Sequence, residues 1–202
     1  MRLGVLGGTF DPIHLGHLVL GDVAREDLDL DRVLFVPTGQ PWRKTGREIT
    51  AASDRIAMLR LATAGNSFFD VSTLEVERDG PSYTEITLEA LLREYGRETE
   101  LFFIIGRDSL LDFPHWHDPQ RIAGLATLVV ADRDGTGVPS ESEPTLPGVV
   151  ARLCWLRMPR IDINSTDVRD RVREGRSIRY RVPEGVAAYI EERGLYKGEV
   201  AD

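Results

Sequence analysis

Short apolar runs alternate along the chain with longer segments in which apolar residues recur every three or four positions. The runs have the length of buried strands, and the longer segments have the periodicity of helices that cover one face of a sheet. Strands are predicted at residues 2–6, 32–37, 69–76, 101–105, 125–131 and 149–156. Helices are predicted at residues 14–28, 52–64, 84–95, 119–122, 165–174 and 183–193.

This alternation predicts an α/β fold, a Rossmann-like doubly wound parallel sheet with C-terminal helices. The run 101–105 is apolar throughout, which is typical of an interior parallel strand covered on both faces. We expect a single domain over residues 1–202, with its C-terminal helical part at about residues 160–196. Ligands of such sheets bind beyond the carboxyl ends of the strands, so those ends are the first place to look for chemistry.

Composition narrows the classes of function. The formal net charge of -8 argues against a nucleic-acid partner, because general binding to a phosphate backbone needs a basic surface. A single cysteine, Cys154, allows no intramolecular disulfide and fits a reducing compartment. Because it lies in the apolar run 149–156, we expect its side chain to be buried. Neither a signal peptide nor an apolar run near the ~20 residues of a membrane span is visible, so we expect a cytoplasmic protein without a membrane partner.

The first strand leads into a glycine turn and then into a predicted helix that carries two histidines. Gly7 and Gly8 let an anion approach the backbone, and a helix N-terminus offers unpaired N–H groups and a positive dipole end. His14 and His17 are three residues apart and therefore share a face of the helix. The alternative is a zinc site, but the remaining histidines, His115 and His117, lie near a different junction. The pattern favours a nucleotide phosphate.

A second helix N-terminus is predicted at residues 164–169, with the sequence Asn-Ser-Thr-Asp-Val-Arg. Ser165 and Thr166 supply hydroxyls, and Arg169 follows one turn later with a guanidinium that matches phosphate geometry. Read alone, the segment fits an ordinary helix cap with a surface arginine equally well. Together with the first junction, it indicates a site for the β- and γ-phosphates of a triphosphate.

Both junctions resemble motifs of the nucleotidyltransferase superfamily. The sequence G-G-T-F-D-P-I-H-L-G-H at residues 7–17 resembles the signature G-x-F-x-P-x-H-x-G-H, and residues 163–169 resemble I-S-S-T-x-x-R. Asn164 replaces the first serine of the second motif, although its amide can still donate a hydrogen bond. With these motifs, the ATP-binding residues are expected to include Gly7, Gly8, Thr9, Phe10, Ser165 and Thr166.

The middle of the chain is similar to the nicotinate mononucleotide adenylyltransferases. Residues 82–88 resemble the segment S-Y-T-x-x-T-L, residues 106–110 resemble G-x-D-x-L with a tryptophan downstream, and Lys44 resembles the lysine that ends P-x-x-x-P-P-H-K. Trp42 and Arg43 stand where that family usually has Pro-His. The resemblance adds Gly106, Asp108 and Arg133 to the ATP-binding residues. The residues expected to bind the mononucleotide are Asp11, Tyr83, Thr84 and Trp116.

The resemblance implies transfer of AMP from ATP to nicotinate mononucleotide, giving deamido-NAD and pyrophosphate. The expected catalytic residues, which would neutralise charge at the reacting phosphates, are His14, His17, Lys44 and Arg169. Mg²⁺ is the expected cofactor, held mainly by phosphates and water, so no protein metal ligand is predicted. Alternative acceptors are nicotinamide mononucleotide and phosphopantetheine, and the non-enzymatic alternative is a nucleotide-sensing module on the same fold. The sequence leaves open whether the chain forms a homo-oligomer.

Overall fold

A computed structural model describes residues 1–40, 49–132 and 152–198. Its centre is a sheet of six parallel strands. In chain order the strands are β1 Arg2–Gly8, β2 Arg32–Pro37, β3 Phe69–Val71, β4 Glu100–Gly106, β5 Ala126–Asp132 and β6 Leu153–Arg157. The helices are α1 Leu15–Asp27, α2 Ala52–Thr63, α3 Leu74–Glu77, α4 Thr84–Tyr95, α5 Arg107–Asp112, α6 Pro119–Leu125, α7 Ser165–Arg173 and α8 Glu184–Glu192. One 3-10 turn, Phe113–His115, follows α5.

The spatial order of the strands is β3-β2-β1-β4-β5-β6, so the chain winds outward from β1 in both directions. Strand β1 pairs in parallel with β2, where Gly8 lies opposite Pro37, and with β4, where Leu6 lies opposite Ile104. The strand order therefore reverses beside β1. In doubly wound sheets this reversal opens the crevice in which ligands bind.

Alternate residues of the strands enter two separate cores, one on each face of the sheet. On β1, Leu6 belongs to the core covered by α1, α2, α7 and α8, whereas Val5 belongs to the core covered by α4, α5 and α6. Phe35 and Leu34 divide in the same way on β2. Each fully buried side chain of this size contributes about 1.5–3 kcal/mol. The two cores confirm the predicted doubly wound α/β fold with C-terminal helices.

Two local predictions were wrong. The strand predicted at residues 69–76 ends at Val71, and residues 74–77 form α3 instead. The side chain of Ser72 accepts from Leu74 N–H, and Thr73 C=O accepts from Val76 N–H, so these two residues begin a helical turn and end the ladder. Cys154, expected to be buried, is half-buried, and burial raises the pKa of its thiol. Within the described ranges, no helix is long and apolar enough to cross a membrane.

Candidate active site

A cleft of about 620 Å³ opens at the carboxyl ends of the central strands. Its floor is the end of β1 and β4, and its walls come from the segments that follow β2, β4 and α3. Eight of the sequence-predicted site residues line it, namely Gly7, Gly8, Thr9, His17, Thr84, Gly106, Asp108 and Trp116. The structure therefore brings together residues that are separated by about half of the chain.

His14 and His17 form one stacked unit at the start of α1. His14 occupies the N-cap position and is 4% exposed, and its ring centroid lies 3.7 Å from that of His17, with 25° between the ring planes. The Nδ1 atom of His17 accepts a hydrogen bond from the His14 backbone N–H at 3.3 Å. Because Nδ1 is the acceptor, a neutral His17 carries its proton on Nε2. This hydrogen bond fixes the orientation of the His17 ring, which lines the cleft.

One backbone N–H of the first turn of α1 is already hydrogen-bonded within the protein. The N–H of Leu15 donates to the carbonyl of Arg181 at 2.8 Å, so this amide does not point at a ligand. The anion-binding capacity predicted for the junction therefore rests on the imidazoles and on the glycine turn rather than on every amide of the helix.

Phe10 and Asp11 lie beneath the glycine turn. Phe10 is 2% exposed, and its ring packs under Gly8 and against His17, which leaves only its main chain near the cleft. Asp11 is 1% exposed, and its carboxylate accepts a hydrogen bond from the Tyr196 hydroxyl at 2.8 Å. These two side chains support the turn from below.

The N-terminus of α7 is attached to the same turn. Arg169 donates from one guanidinium nitrogen to the carbonyl of Asp11 at 2.7 Å and from the other to the hydroxyl of Thr166 at 3.0 Å. Ser165 donates to the carbonyl of Pro12 at 2.9 Å. The reading of Arg169 as a surface arginine is therefore wrong, because the side chain crosses to the first junction. Asn164 caps α7 by accepting from Asp167 N–H at 2.8 Å.

The other end of the cleft carries aromatic residues. Trp116 is half-buried, with its ring edge-on to Phe103 at 6.0 Å and its Nε1–H donating to Asp112 at 3.3 Å. Tyr83 stacks on His117 at 4.1 Å, and His117 Nδ1 lies 2.5 Å from the buried carboxylate of Glu85. Thr84, the first residue of α4, lines the cleft, whereas Tyr83 is not among the residues that line it.

Three residues of this region were missed by the sequence analysis. Glu75 lines the cleft with a carboxyl that accepts from Thr87 Oγ1 at 2.8 Å, and burial raises its pKa. Arg55 and Tyr196 lie beneath the site, and burial lowers the pKa of Arg55 while raising that of Tyr196. One signal was available, because Arg55 shares the spacing of the apolar residues Met58 and Leu59 on α2.

Several predicted residues lie outside the described residues. These are Lys44 and Arg133, together with Trp42 and Arg43. Over the described ranges, no group of three or more histidine, cysteine, aspartate or glutamate side chains is placed to hold a metal ion.

Residues 5–171 match the family described as Cytidylyltransferase-like. The chain belongs to the cytidylyltransferase-like family. Two curated relatives within this family are each named "Probable nicotinate-nucleotide adenylyltransferase". The protein from Roseiflexus sp. (strain RS-1) is 48% identical over 96% of this chain and 98% of its own length. The protein from Thermomicrobium roseum is 50% identical over 97% of this chain and 92% of its own length.

Solved structures share the fold of this cytidylyltransferase-like chain. A nicotinic acid mononucleotide adenylyltransferase from Plasmodium falciparum, complexed with NaAD, superposes with a TM-score of 0.74 at 16% identity and covers 96% of this chain and 97% of its own. The same enzyme complexed with APC gives a TM-score of 0.73. At this level of identity the likeness shows the fold alone.

Proposed function

We propose that this protein transfers AMP from ATP to nicotinate mononucleotide and releases deamido-NAD and pyrophosphate. One observation carries the proposal: the two helix N-termini predicted to hold phosphates meet at a single turn, where Arg169 of α7 contacts the carbonyl of Asp11 just before His14. Relatives that match the chain over nearly its full length, and that are named for this reaction, support the choice of substrates.

The reaction needs positioning and charge stabilisation more than acid–base chemistry. An oxygen of the mononucleotide phosphate attacks the α-phosphorus of ATP, a new P–O bond forms, and the bond to the β-phosphate oxygen breaks with departure of pyrophosphate. The attacking phosphate is already ionised near neutral pH, so no general base is required. We assign the Nε2–H of His17, which lines the cleft, and the guanidinium of Arg169, which contacts the turn before α1, as donors to phosphate oxygens as charge shifts. We assign the same role to His14 and Lys44.

The two substrates are assigned to opposite ends of the cleft. ATP is placed on the glycine turn at Gly7 and Gly8 and beside Gly106 and Asp108, whose carboxylate can accept from ribose hydroxyls. The pyridine ring is placed near Trp116, and its carboxylate near the first amides of α4 at Thr84. Tyr83 is then assigned a supporting role at this end through its stack on His117.

Mg²⁺ fits this site as a partner of the triphosphate. Asp108 and Glu75 are the carboxylates that line the described cleft, and Glu75 already accepts hydrogen bonds from the protein. Such a donor set lacks a dedicated cage, and Mg²⁺ commonly keeps waters and binds substrate phosphates. The ion would supply charge neutralisation there, and Asp108 is the described side chain available to it.

Pyrophosphate release tests the proposal. The protein is supplied with Mg-ATP and either nicotinate or nicotinamide mononucleotide, and kcat/KM is measured for each. We expect the acid to be preferred by about a hundredfold or more, which corresponds to ~2.7 kcal/mol of transition-state discrimination. Comparable rates would indicate dual specificity. Turnover only with phosphopantetheine would assign the chain to that acceptor, and no turnover with any acceptor would favour a nucleotide sensor.

A further inference from the structure

Two connections beside the cleft, the one after β1 and the one between β2 and α2, are joined by one buried arginine. Arg55, on α2, is 2% exposed, and each nitrogen of its guanidinium donates to a backbone carbonyl. The acceptors are Thr9 after β1 at 2.8 Å, Thr38 after β2 at 2.9 Å and Thr50 before α2 at 3.0 Å. Its positive charge is balanced by Asp11, which lies close enough to raise its pKa against the effect of burial. The loops are therefore fixed around a single pair of charges.

Asp11, the carboxylate of this pair, is also hydrogen-bonded to a tyrosine that follows α8. Asp11 accepts from the Tyr196 hydroxyl at 2.8 Å, across 185 residues of sequence. Tyr196 adopts a positive φ of 63° and follows a reversal at Gly194, whose φ is 61°. The chain after α8 thus turns back and brings the Tyr196 ring to the turn that follows β1. Burial raises the pKa of the Tyr196 hydroxyl, so it remains a hydrogen-bond donor near neutral pH.

Asp11 is also the residue at which α7 contacts the turn before α1. Its carbonyl accepts from Arg169 at 2.7 Å, and the next carbonyl, that of Pro12, accepts from Ser165 at 2.9 Å. His14 follows two residues later as the N-cap of α1. A shift of Asp11 therefore moves the arginine and both histidines together.

We propose that Tyr196 is a positioning residue for ATP, acting through the Asp11 carboxylate to hold Arg169 and the His14–His17 pair at the triphosphate. This role rests on the proposed function. It reassigns Asp11, which the sequence resemblance placed among the mononucleotide-binding residues, to the support of the ATP side. The mononucleotide side, at Thr84 and Trp116, does not depend on it.

The chain offers a matched control in a second tyrosine–carboxylate pair. The hydroxyl of Tyr189, on α8, donates to Asp54, on α2, also at 2.8 Å. This pair joins α8 to α2, and among the described residues neither its hydrogen bond nor the ion pair of Asp54 with Arg193 involves the glycine turn or α7. Tyr→Phe at either position removes one hydroxyl and leaves the ring in place.

The test compares Tyr196→Phe with Tyr189→Phe in steady-state pyrophosphate release and in thermal unfolding. We expect both substitutions to lower the melting temperature by a few degrees. Only Tyr196→Phe should lower kcat/KM for ATP, by about tenfold or more, because small displacements of positioned groups cost up to about 10²-fold. Its KM for the mononucleotide should stay within about threefold of the unsubstituted value. An unchanged kcat/KM for ATP, or a rise confined to the KM of the mononucleotide, would overturn the proposal.

A double-mutant cycle separates this role from general destabilisation. If Tyr196 acts through Asp11, then Tyr196→Phe should have little further effect on kcat/KM for ATP in an Asp11→Asn background. Additive losses would contradict the route through Asp11. Should the unsubstituted protein release no pyrophosphate, the proposed function fails by itself. The positioning role is then decided by the affinity for Mg-ATP, which Tyr196→Phe should weaken and Tyr189→Phe should not.

Discussion

At the scale of single residues, Glu75 is the most unusual group in the cleft. Its carboxyl is buried beside Thr87 and Ser82, and the N–H of Gly39 also reaches it. Desolvation raises its pKa more than these hydrogen bonds lower it. Glu75 therefore joins α3, α4 and the loop after β2 at a cost in free energy that appears only when the carboxyl is ionised.

This cost predicts a pH-dependent effect of Glu75→Gln. Since the folded-state pKa is raised, protonated Glu75 contributes to the free energy of unfolding in full below the ordinary pKa near 4.5. This contribution is lost as pH rises through the folded-state pKa. Glutamine does not titrate, so the variant should gain stability relative to the unsubstituted protein as pH rises above about 4.5. Urea unfolding across that range measures the difference. Glu77→Gln, an exposed change two residues away, serves as the control, and the effect assigned to Glu75 is the difference between the two variants.

His17 supports a second prediction at this scale. Its Nε2–H faces the cleft because Nδ1 is held by the His14 amide, so His17→Ala removes an oriented donor. We expect kcat to fall by about 10²- to 10³-fold, the usual loss for one donor to a developing charge. His115→Ala removes an exposed imidazole outside the cleft and should leave turnover unchanged. A His17→Ala variant within a few-fold of the unsubstituted rate would remove this residue from the mechanism.

At the scale of elements, the sequence predicted most segments because periodicity and caps agreed. Helix α4 runs from Thr84 to Tyr95 as expected, since Gly96 ends it with a positive φ. Strand β3 was overextended because residues 69–72 and 73–76 each alternate apolar and polar side chains like a strand, although the alternation changes phase between Ser72 and Thr73. The hydrogen bonds of Ser72 and Thr73 decide that segment, and alternation alone does not reveal them.

Helix α7 gives the prediction that belongs to this scale. Asn164 accepts from Asp167 N–H at 2.8 Å, so Asn164→Ala should lower the free energy of unfolding by about 1 kcal/mol. Denaturant unfolding measures this loss. Asn164→Ser, which restores a side-chain acceptor and the residue that the related motif carries, should recover most of it. Equal losses in both variants would mean that the side chain does not act as a cap.

At the scale of the whole molecule, the site residues that belong to a contiguous sequence motif were predictable. His14, His17, Ser165 and Arg169 were named from local sequence, and the structure brings their two segments together. Arg55 and Tyr196 were missed because their partners are remote in the sequence, and a lone arginine or tyrosine on an apolar face is usually part of the packing. Lys44 and Arg133 stay predictions.

The contact between Tyr196 and Asp11 also has a consequence for biosynthesis. Strands β1 to β5 are complete by residue 132, but the first loop of the site gains its last supporting side chain only when residue 196 has left the ribosome. Because domains fold as units during synthesis, a nascent chain exposes the glycine turn before its support exists. Support of the glycine turn by Tyr196 therefore requires synthesis to proceed at least 64 residues beyond the end of β5 at Asp132.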